Sequence, residues 1–223
     1  MMAAASTPTP FPAAAPTLKR RGVMLVLASP PGGGKTTVTR AIAESDPQTV
    51  ISISATTRAM RPGEVDGKHY YFVSREKFEE LIAADAMLEH ALVYNNYFYG
   101  TPKEPVENAL HEGRDVLFDI DWQGNKTLSA VAPADVVSVF LLPPSWKTLA
   151  DRLHDRKQDS EEEIERRLGK AQDEISHYGE FDYVIVNNDL NDTIAQVKAI
   201  LEAERSRRQR LTDVEAFVQT LKP

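Results

Sequence analysis

Cysteine is absent from the whole 223-residue chain. That excludes a disulfide framework and any cysteine-ligated zinc or iron–sulfur centre, and it suits a reducing compartment. Long apolar runs are missing as well. The longest, 23–28, falls short of the ~20 residues of a membrane-spanning helix and of the roughly 7–15 apolar residues of a secretory signal, so a soluble, cytoplasmic protein is expected. Positive charge is in the minority, with 26 Lys and Arg against 33 Asp and Glu and a net charge of −7. A protein that wraps a nucleic-acid polymer needs a broad basic face, so that class is disfavoured, whereas a basic pocket on an acidic body is not. A chain of this length buries roughly 70% of its surface and needs no staples, which predicts one large domain carrying subdomains.

The first 17 residues carry no charge, and 13 of them are Ala, Pro or Thr. Such a segment has little to bury, so residues 1–20 are expected to form a disordered tail. Beyond it, the continuous apolar blocks 23–28, 116–121, 136–142 and 183–186 read as strands covered on both faces, and 49–54 as a further one. Helical patterns at 36–43, 74–84, 104–111, 146–154 and 161–178 separate them. Strands alternating with helices predict an α/β fold with a mostly parallel sheet flanked by helices. Ser160 and Glu163 have capping-box spacing for the last of these helices, and its opening glutamates complement the helix dipole. Apolar residues at helical spacing over 211–221 predict an extra helix at the C-terminus.

Ser29-Pro30-Pro31-Gly32-Gly33-Gly34-Lys35-Thr36 lies between the first buried strand and a helix, the setting of a phosphate-binding P-loop. Glycines let the backbone aim N–H groups at phosphate oxygens, and the helix N-terminus adds positive potential. Lys35 would reach the β- and γ-phosphates and Thr36 would ligate Mg²⁺ directly. The pattern's first glycine is Ser29 here, one departure from the strict motif. Downstream, Arg58 and Arg61 are spaced so that two guanidinium forks can converge on one phosphate dianion. Asp119 and Asp121 are two apart on a predicted strand, so both face the ligand-binding C-terminal end of the sheet. Which aspartate does what stays open at this level.

The segment Ser54-Ala55-Thr56-Thr57-Arg58-Ala59-Met60-Arg61-Pro62-Gly63-Glu64-Val65-Asp66-Gly67-Lys68-His69-Tyr70-Tyr71-Phe72-Val73 resembles guanylate kinases. Agreement continues at Met87-Leu88-Glu89-His90-Ala91, Tyr99-Gly100-Thr101, Asp119-Ile120-Asp121-Trp122-Gln123-Gly124, Arg152-Leu153, Arg166-Arg167-Leu168 and 184–188, and the resemblance covers about 22–201. It implies a P-loop NTPase fold of residues 21–203. The core would be 22–53, 113–143 and 179–201, with a GMP-binding region at 54–112, a lid at 144–178 and a C-terminal helical extension at 204–223.

The resemblance implies that ATP is held by Ser29, Pro30, Pro31, Gly32, Gly33, Gly34, Lys35, Thr36, Thr37 and Asn187. GMP is held by Ser54, Arg58, Arg61, Tyr70, Glu89, Tyr99, Thr101, Asp119 and Asp121, with Asp121 reaching Mg²⁺ through water. Guanine offers N1–H and the N2 amino group side by side, and one carboxylate, Glu89, accepts both. Asp66 and His69 stay outside this shell. Lys35, Arg58 and the lid arginines Arg152, Arg156 and Arg167 stabilise charge on the moving phosphoryl group, while Arg166 points outward. In this family Pro31 commonly gives way to serine and Ser29 to glycine or alanine. The stretch before Tyr99 is one residue longer than usual, which leaves the register of Tyr97 against Tyr99 open.

The reaction expected is phosphoryl transfer from ATP to GMP or dGMP, giving ADP and GDP, for purine nucleotide metabolism, with no nucleic-acid or membrane partner and with self-association left open. A sugar-phosphate kinase would have no use for Glu89 beside Ser54. A phosphopeptide-binding module of the same fold would have no use for Lys35 and Thr36.

Overall fold

A computed structural model describes residues 17–93, 96–155 and 161–222; the expected N-terminal tail falls almost wholly outside this range. Strand β1 (Met24–Ala28) is buried along its entire length. Its side chains alternate between two cores. Leu25 and Leu27 pack with Val38, Ile42, Val197 and Leu201 on one face of the sheet. Met24 and Val26 pack with Val106, Leu110 and Leu128 on the other. Helices cover both faces, which is why the strand reads as a continuous apolar run rather than an alternating one.

Helix α1 (Lys35–Ser45) follows β1, and β2 (Thr49–Ile51) follows α1. The chain then leaves the main sheet for a smaller one. That second layer comprises β3 (Ala55–Thr56), β4 (Tyr71–Phe72), helix α2 (Arg75–Ala83), and the antiparallel β5 (Met87–Val93) and β6 (Tyr97–Pro102). Helix α3 (Lys103–His111) leads back to β7 (Asp115–Asp119), α4 (Trp122–Val131) and β8 (Val136–Leu142). Then come α5 (Trp146–Asp155), α6 (Glu161–Ser176), β9 (Tyr183–Val186), α7 (Leu190–Arg205) and α8 (Val214–Thr220).

The main sheet has the order β2-β7-β1-β8-β9 and is parallel throughout; the smaller is β4-β3-β6-β5. The chain thus has the expected α/β architecture, with a parallel sheet flanked by helices and a second sheet inserted after β2. The strand expected over 49–54 is shorter, with 49–51 pairing with β7, and a separate strand at 55–56 pairs with Gly100 and Tyr99 of β6.

One strand boundary needs correction. The strand expected over 116–121 ends at Asp119, because Asp121 has become the N-cap of α4, its carboxylate accepting from Gly124 N at 3.1 Å. An N-cap aspartate satisfies an orphan helix donor, and that local preference wins over strand continuation. The expected helix over 161–178 ends at Ser176 and passes into a short 3₁₀ turn. The capping residue Ser160 lies outside the described residues, and Glu163 instead binds Arg166 and Arg167.

The C-terminal stretch is strapped to the chain's entry point. Thr212 N donates to Lys19 O at 2.9 Å, Arg21 N to Arg210 O at 2.8 Å, and Lys19 N to Asp213 Oδ1 at 2.8 Å. This clasp sits at the N-terminal edge of the main sheet, away from the phosphate loop.

Candidate active site

The phosphate loop leaves β1 at Ala28 and enters α1 at Lys35. Gly32 and Gly34 have φ of 84° and 97°, the left-handed region that favours glycine. A Cβ on Gly33 would lie 2.6 Å from Ser29 Cβ, and one on Gly34 would lie 2.5 Å from Asn187 Nδ2. Ser29 therefore replaces the motif's first glycine without opening the loop: its hydroxyl is buried and donates to Pro30 O, which also accepts from Gly33 N. Asn187 braces the loop from the end of β9. Its Nδ2 donates to Gly33 O at 2.8 Å, and its Oδ1 accepts from Thr193 Oγ1 at 3.0 Å. Expected as a nucleotide contact, Asn187 has both ends of its amide engaged by the protein, although it lines a cavity of about 350 Å³ with Gly32, Gly34, Thr37 and Arg152.

At the loop's exit, Lys35 Nζ donates to Ile120 O at 3.1 Å and lies 3.4 Å from Asp119 Oδ1. Thr36 Oγ1 donates to Asp119 Oδ2 at 2.6 Å. The two aspartates are thus unlike. Asp119 faces the phosphate loop, whereas Asp121, the one assigned to the metal from sequence, spends one carboxylate oxygen capping α4. The strand stops between them, so they do not share one strand as expected, yet both line the same cleft.

A cleft of about 630 Å³ runs from the loop to the smaller sheet, lined at its far end by Ser54, Glu89 and Tyr99. Glu89 Oε1 accepts from the buried Thr101 hydroxyl at 2.7 Å. Burial pushes the Glu89 carboxyl above its usual value, with Thr101 pulling the other way. Across β6, Tyr99 Oη accepts from Arg58 Nε at 3.2 Å, and the Tyr70 ring meets the Tyr99 ring edge-on at 5.8 Å. That answers the register question: Tyr97 is exposed opposite Val93, and Tyr99 is the ring turned to the arginine. Asp66 and His69 accept backbone N–H groups of Phe72 and Val65. They hold the loop and stay out of the cleft.

On the side of α5 and α6, Arg152 Nη2 donates to Asn187 O at 3.0 Å, tying α5 to the residue that braces the phosphate loop. Arg167 Nε donates to Glu163 at 3.0 Å, and Arg166, the more exposed of the pair, also binds Glu163. Arg156 lies outside the described residues. Three residues that the sequence reading left without a role belong to the site. Glu64 clamps Arg58 through both carboxylate oxygens. Lys170 and Glu174 line the cleft and pair at 3.1 Å, and burial raises the Glu174 carboxyl. From sequence the last two are indistinguishable from a solvated i,i+4 pair.

Comparison with known proteins places this geometry. Residues 21–204 match the family model described as guanylate kinase. The guanylate kinase of Paramagnetospirillum magneticum is 56% identical over 207 residues, 93% of this chain and 96% of the relative. That of Rhodopseudomonas palustris is 53% identical over 205 residues, 92% of this chain and 93% of its own length. A crystal structure of guanylate kinase from Anaplasma phagocytophilum superposes with a TM-score of 0.71 at 38% identity, covering 91% of this chain and 96% of that one. With a phosphate loop and a half-buried carboxylate lining one cleft, a paired-arginine segment joined to it through Tyr99, and relatives of this identity spanning nearly its full length, the chain belongs to the guanylate kinase family.

Proposed function

We propose that the chain performs the guanylate kinase reaction, moving the γ-phosphoryl group of ATP to GMP or dGMP, with the two nucleotides entering the cleft from opposite ends. The observation that carries the residue assignment is the cleft itself, which has Lys35, Thr36 and Asp119 at one end and Ser54, Glu89 and Tyr99 at the other.

At the donor end the backbone N–H groups of 32–36 cradle the β- and γ-phosphates, and Lys35 adds a point charge. Magnesium fits the donors present. Thr36 Oγ1 and Asp119 Oδ2 are hard oxygens 2.6 Å apart, and among the described residues no cluster of three potential ligands would hold an ion by protein alone. Magnesium is commonly held this way, by one or two protein oxygens together with substrate phosphates and water. When bound, it neutralises charge on the β- and γ-oxygens. Asp119 takes the role first given to Asp121.

At the acceptor end the Glu89 carboxylate accepts N1–H and the N2 amino group of guanine, with Ser54 and Thr101 beside it. Adenine, whose N1 is an acceptor, would leave that carboxylate unpaired. Arg58, Arg61, Tyr70 and Tyr99 hold the acceptor's phosphate. Arg152 and Arg167, with Arg156 assigned by resemblance alone, compensate charge on the equatorial oxygens as the lid at 144–178 closes over the core. Transfer is direct and in line, without a covalent enzyme intermediate. The cytoplasm, where both nucleotides occur, is the expected site of action; among the described residues no helix is long and apolar enough to cross a membrane.

The test is an ADP-release assay with ATP, Mg²⁺ and a panel of GMP, dGMP, AMP, UMP and ribose phosphates, with Lys35→Ala as the blank. GMP-dependent turnover that vanishes in the variant is the expected result. Equal turnover with AMP or with a sugar phosphate would overturn the acceptor assignment.

A further inference from the structure

Glu64 is the charged partner of Arg58. Its Oε1 accepts from Nη2 at 2.7 Å, and its Oε2 accepts from Nη1 at 3.0 Å and from the backbone N of Arg61 at 2.7 Å. Arg58 Nη1 also donates to Ala59 O at 2.7 Å, and Nε to Tyr99 Oη at 3.2 Å. A guanidinium carries five N–H donors. Four are therefore committed inside the protein. The rings of Tyr70 and Phe72 lie 5.4 and 5.6 Å from the guanidinium carbon, and the side chain is only 9% exposed. Arg58 is thus held in one plane from several directions, with one N–H left to offer.

Arg61 is its opposite. Its side chain is exposed and makes no ion pair among the described residues. The hydrogen bonds from Arg58 and the Arg61 backbone hold the Glu64 carboxyl down at about 2, so it is ionised throughout the neutral range. Arg58, Arg61 and Glu64 together carry two positive charges and one negative, so the three sum to a single positive charge.

Resting on the assignment of the acceptor's phosphate to this pocket, we propose that Glu64 is a positioning and charge-setting residue. It fixes the plane of Arg58 and cancels its charge, so that long-range attraction comes from Arg61 alone. A nucleoside monophosphate, anchored also through its base at Glu89, binds well in such a pocket. A free anion has only the phosphate contacts and is held weakly. Glu64 thereby makes occupancy of the phosphate pocket depend on the base, and it keeps inorganic phosphate from competing with GMP.

The test uses inorganic phosphate as the probe and reads the component of its inhibition that is competitive with GMP. Glu64→Gln keeps the shape of the side chain and removes its charge. It is expected to strengthen phosphate inhibition about tenfold, the effect of one unit charge on a dianion across roughly 6 Å of water-like dielectric. Glu64→Asp keeps the charge and shortens the arm, so it raises the KM for GMP while leaving the phosphate inhibition constant within about twofold of wild type. General damage to the pocket would weaken phosphate binding in both variants, a result that overturns the proposal, as does unchanged inhibition in Glu64→Gln. Arg61→Gln separates the two levels of the argument. If it weakens GMP and phosphate together while Glu64→Gln fails to strengthen phosphate, only the role of Glu64 falls. If Arg61→Gln alters neither, the pocket assignment falls and the proposal with it.

Discussion

Strand β7 has an aspartate at each end, and their surroundings differ as much as any two places in the molecule. Asp115, at the N-terminal end, is fully buried. It accepts from Arg20 at 2.6 Å, from Arg205 Nε at 2.7 Å and from Val23 N at 2.8 Å. Arg205 also reaches Asp46 at 2.6 Å. Asp119, four positions along the same backbone, is partly open to a cleft and shares its oxygens with one hydroxyl and one lysine. One carboxylate is saturated by protein and joins β7 to α7 and the entry to β1. The other is left with capacity for a ligand. In a parallel sheet the C-terminal ends of strands face the ligand crevice and the N-terminal ends do not, so the same residue type is locked into the protein or opens on a cleft by its place on the strand.

The sharpest way to break this comparison is to neutralise each aspartate in turn. Asp119→Asn is expected to lower turnover by roughly 10²–10³-fold, the usual loss when one group that stabilises developing charge is removed, while the melting temperature stays close to wild type. Asp115→Asn should do the reverse. It leaves Arg20 without its charge partner and Arg205 with Asp46, so the cost is about 3 kcal/mol, the lower end for breaking a buried pair. For a chain of this size that lowers Tm by roughly 10 °C. Turnover per folded molecule should be unchanged. Thermal melts and ADP-release rates measured on both variants check the pair, and loss of turnover in folded Asp115→Asn would dissolve the contrast.

A third carboxylate, Glu89, lies between these extremes, half-buried and bordering the cleft. Truncation to Ala is expected to shrink the preference for GMP over AMP by roughly 10–100-fold, the equivalent of one lost charge-assisted hydrogen-bonding group. Competition between the two acceptors measures it directly, and an unchanged ratio would remove Glu89 from base recognition.

What the sequence made legible follows the same division. Strands buried on both faces announce themselves as unbroken apolar blocks, so β1, β8 and β9 are visible without a partner in view. The hairpin β5–β6 is not. It is a long two-stranded pairing whose residues are polar toward the cleft and apolar toward Phe78 and Ala55, and no local pattern announces a sheet that exists only through distant contacts. Helix α4 is diluted by Gly124 and Asn125 in its first turn, and its one local signal, a capping aspartate, was read as the end of a strand. Within the site, motif residues were legible because their chemistry is fixed by type and order. Glu64 and Glu174 were not given roles because a carboxylate near an arginine or lysine looks alike on a surface and in a cleft. Burial separates the two cases, and burial is a property of the fold.

The smallest expected effect tests whether Glu89 behaves as a half-buried group at work. Its carboxyl is raised above the ordinary 4.5 by desolvation, and the proposed acceptance of both guanine donors requires it to be ionised. Guanosine binding should therefore weaken as pH falls through a midpoint above 4.5; guanosine is the better probe because it has no phosphate of its own to titrate. Stability moves the other way. A carboxyl whose folded value exceeds its unfolded one binds its proton more tightly when folded, so protonating Glu89 stabilises the fold as pH falls through the interval between the two values. The same drop in pH thus loosens the base and tightens the protein at this residue. In Glu89→Gln both dependences should flatten. If guanosine binding in the variant keeps the acid limb of the wild type, the limb belongs to another group, and Glu89 joins Asp115 on the structural side of the comparison.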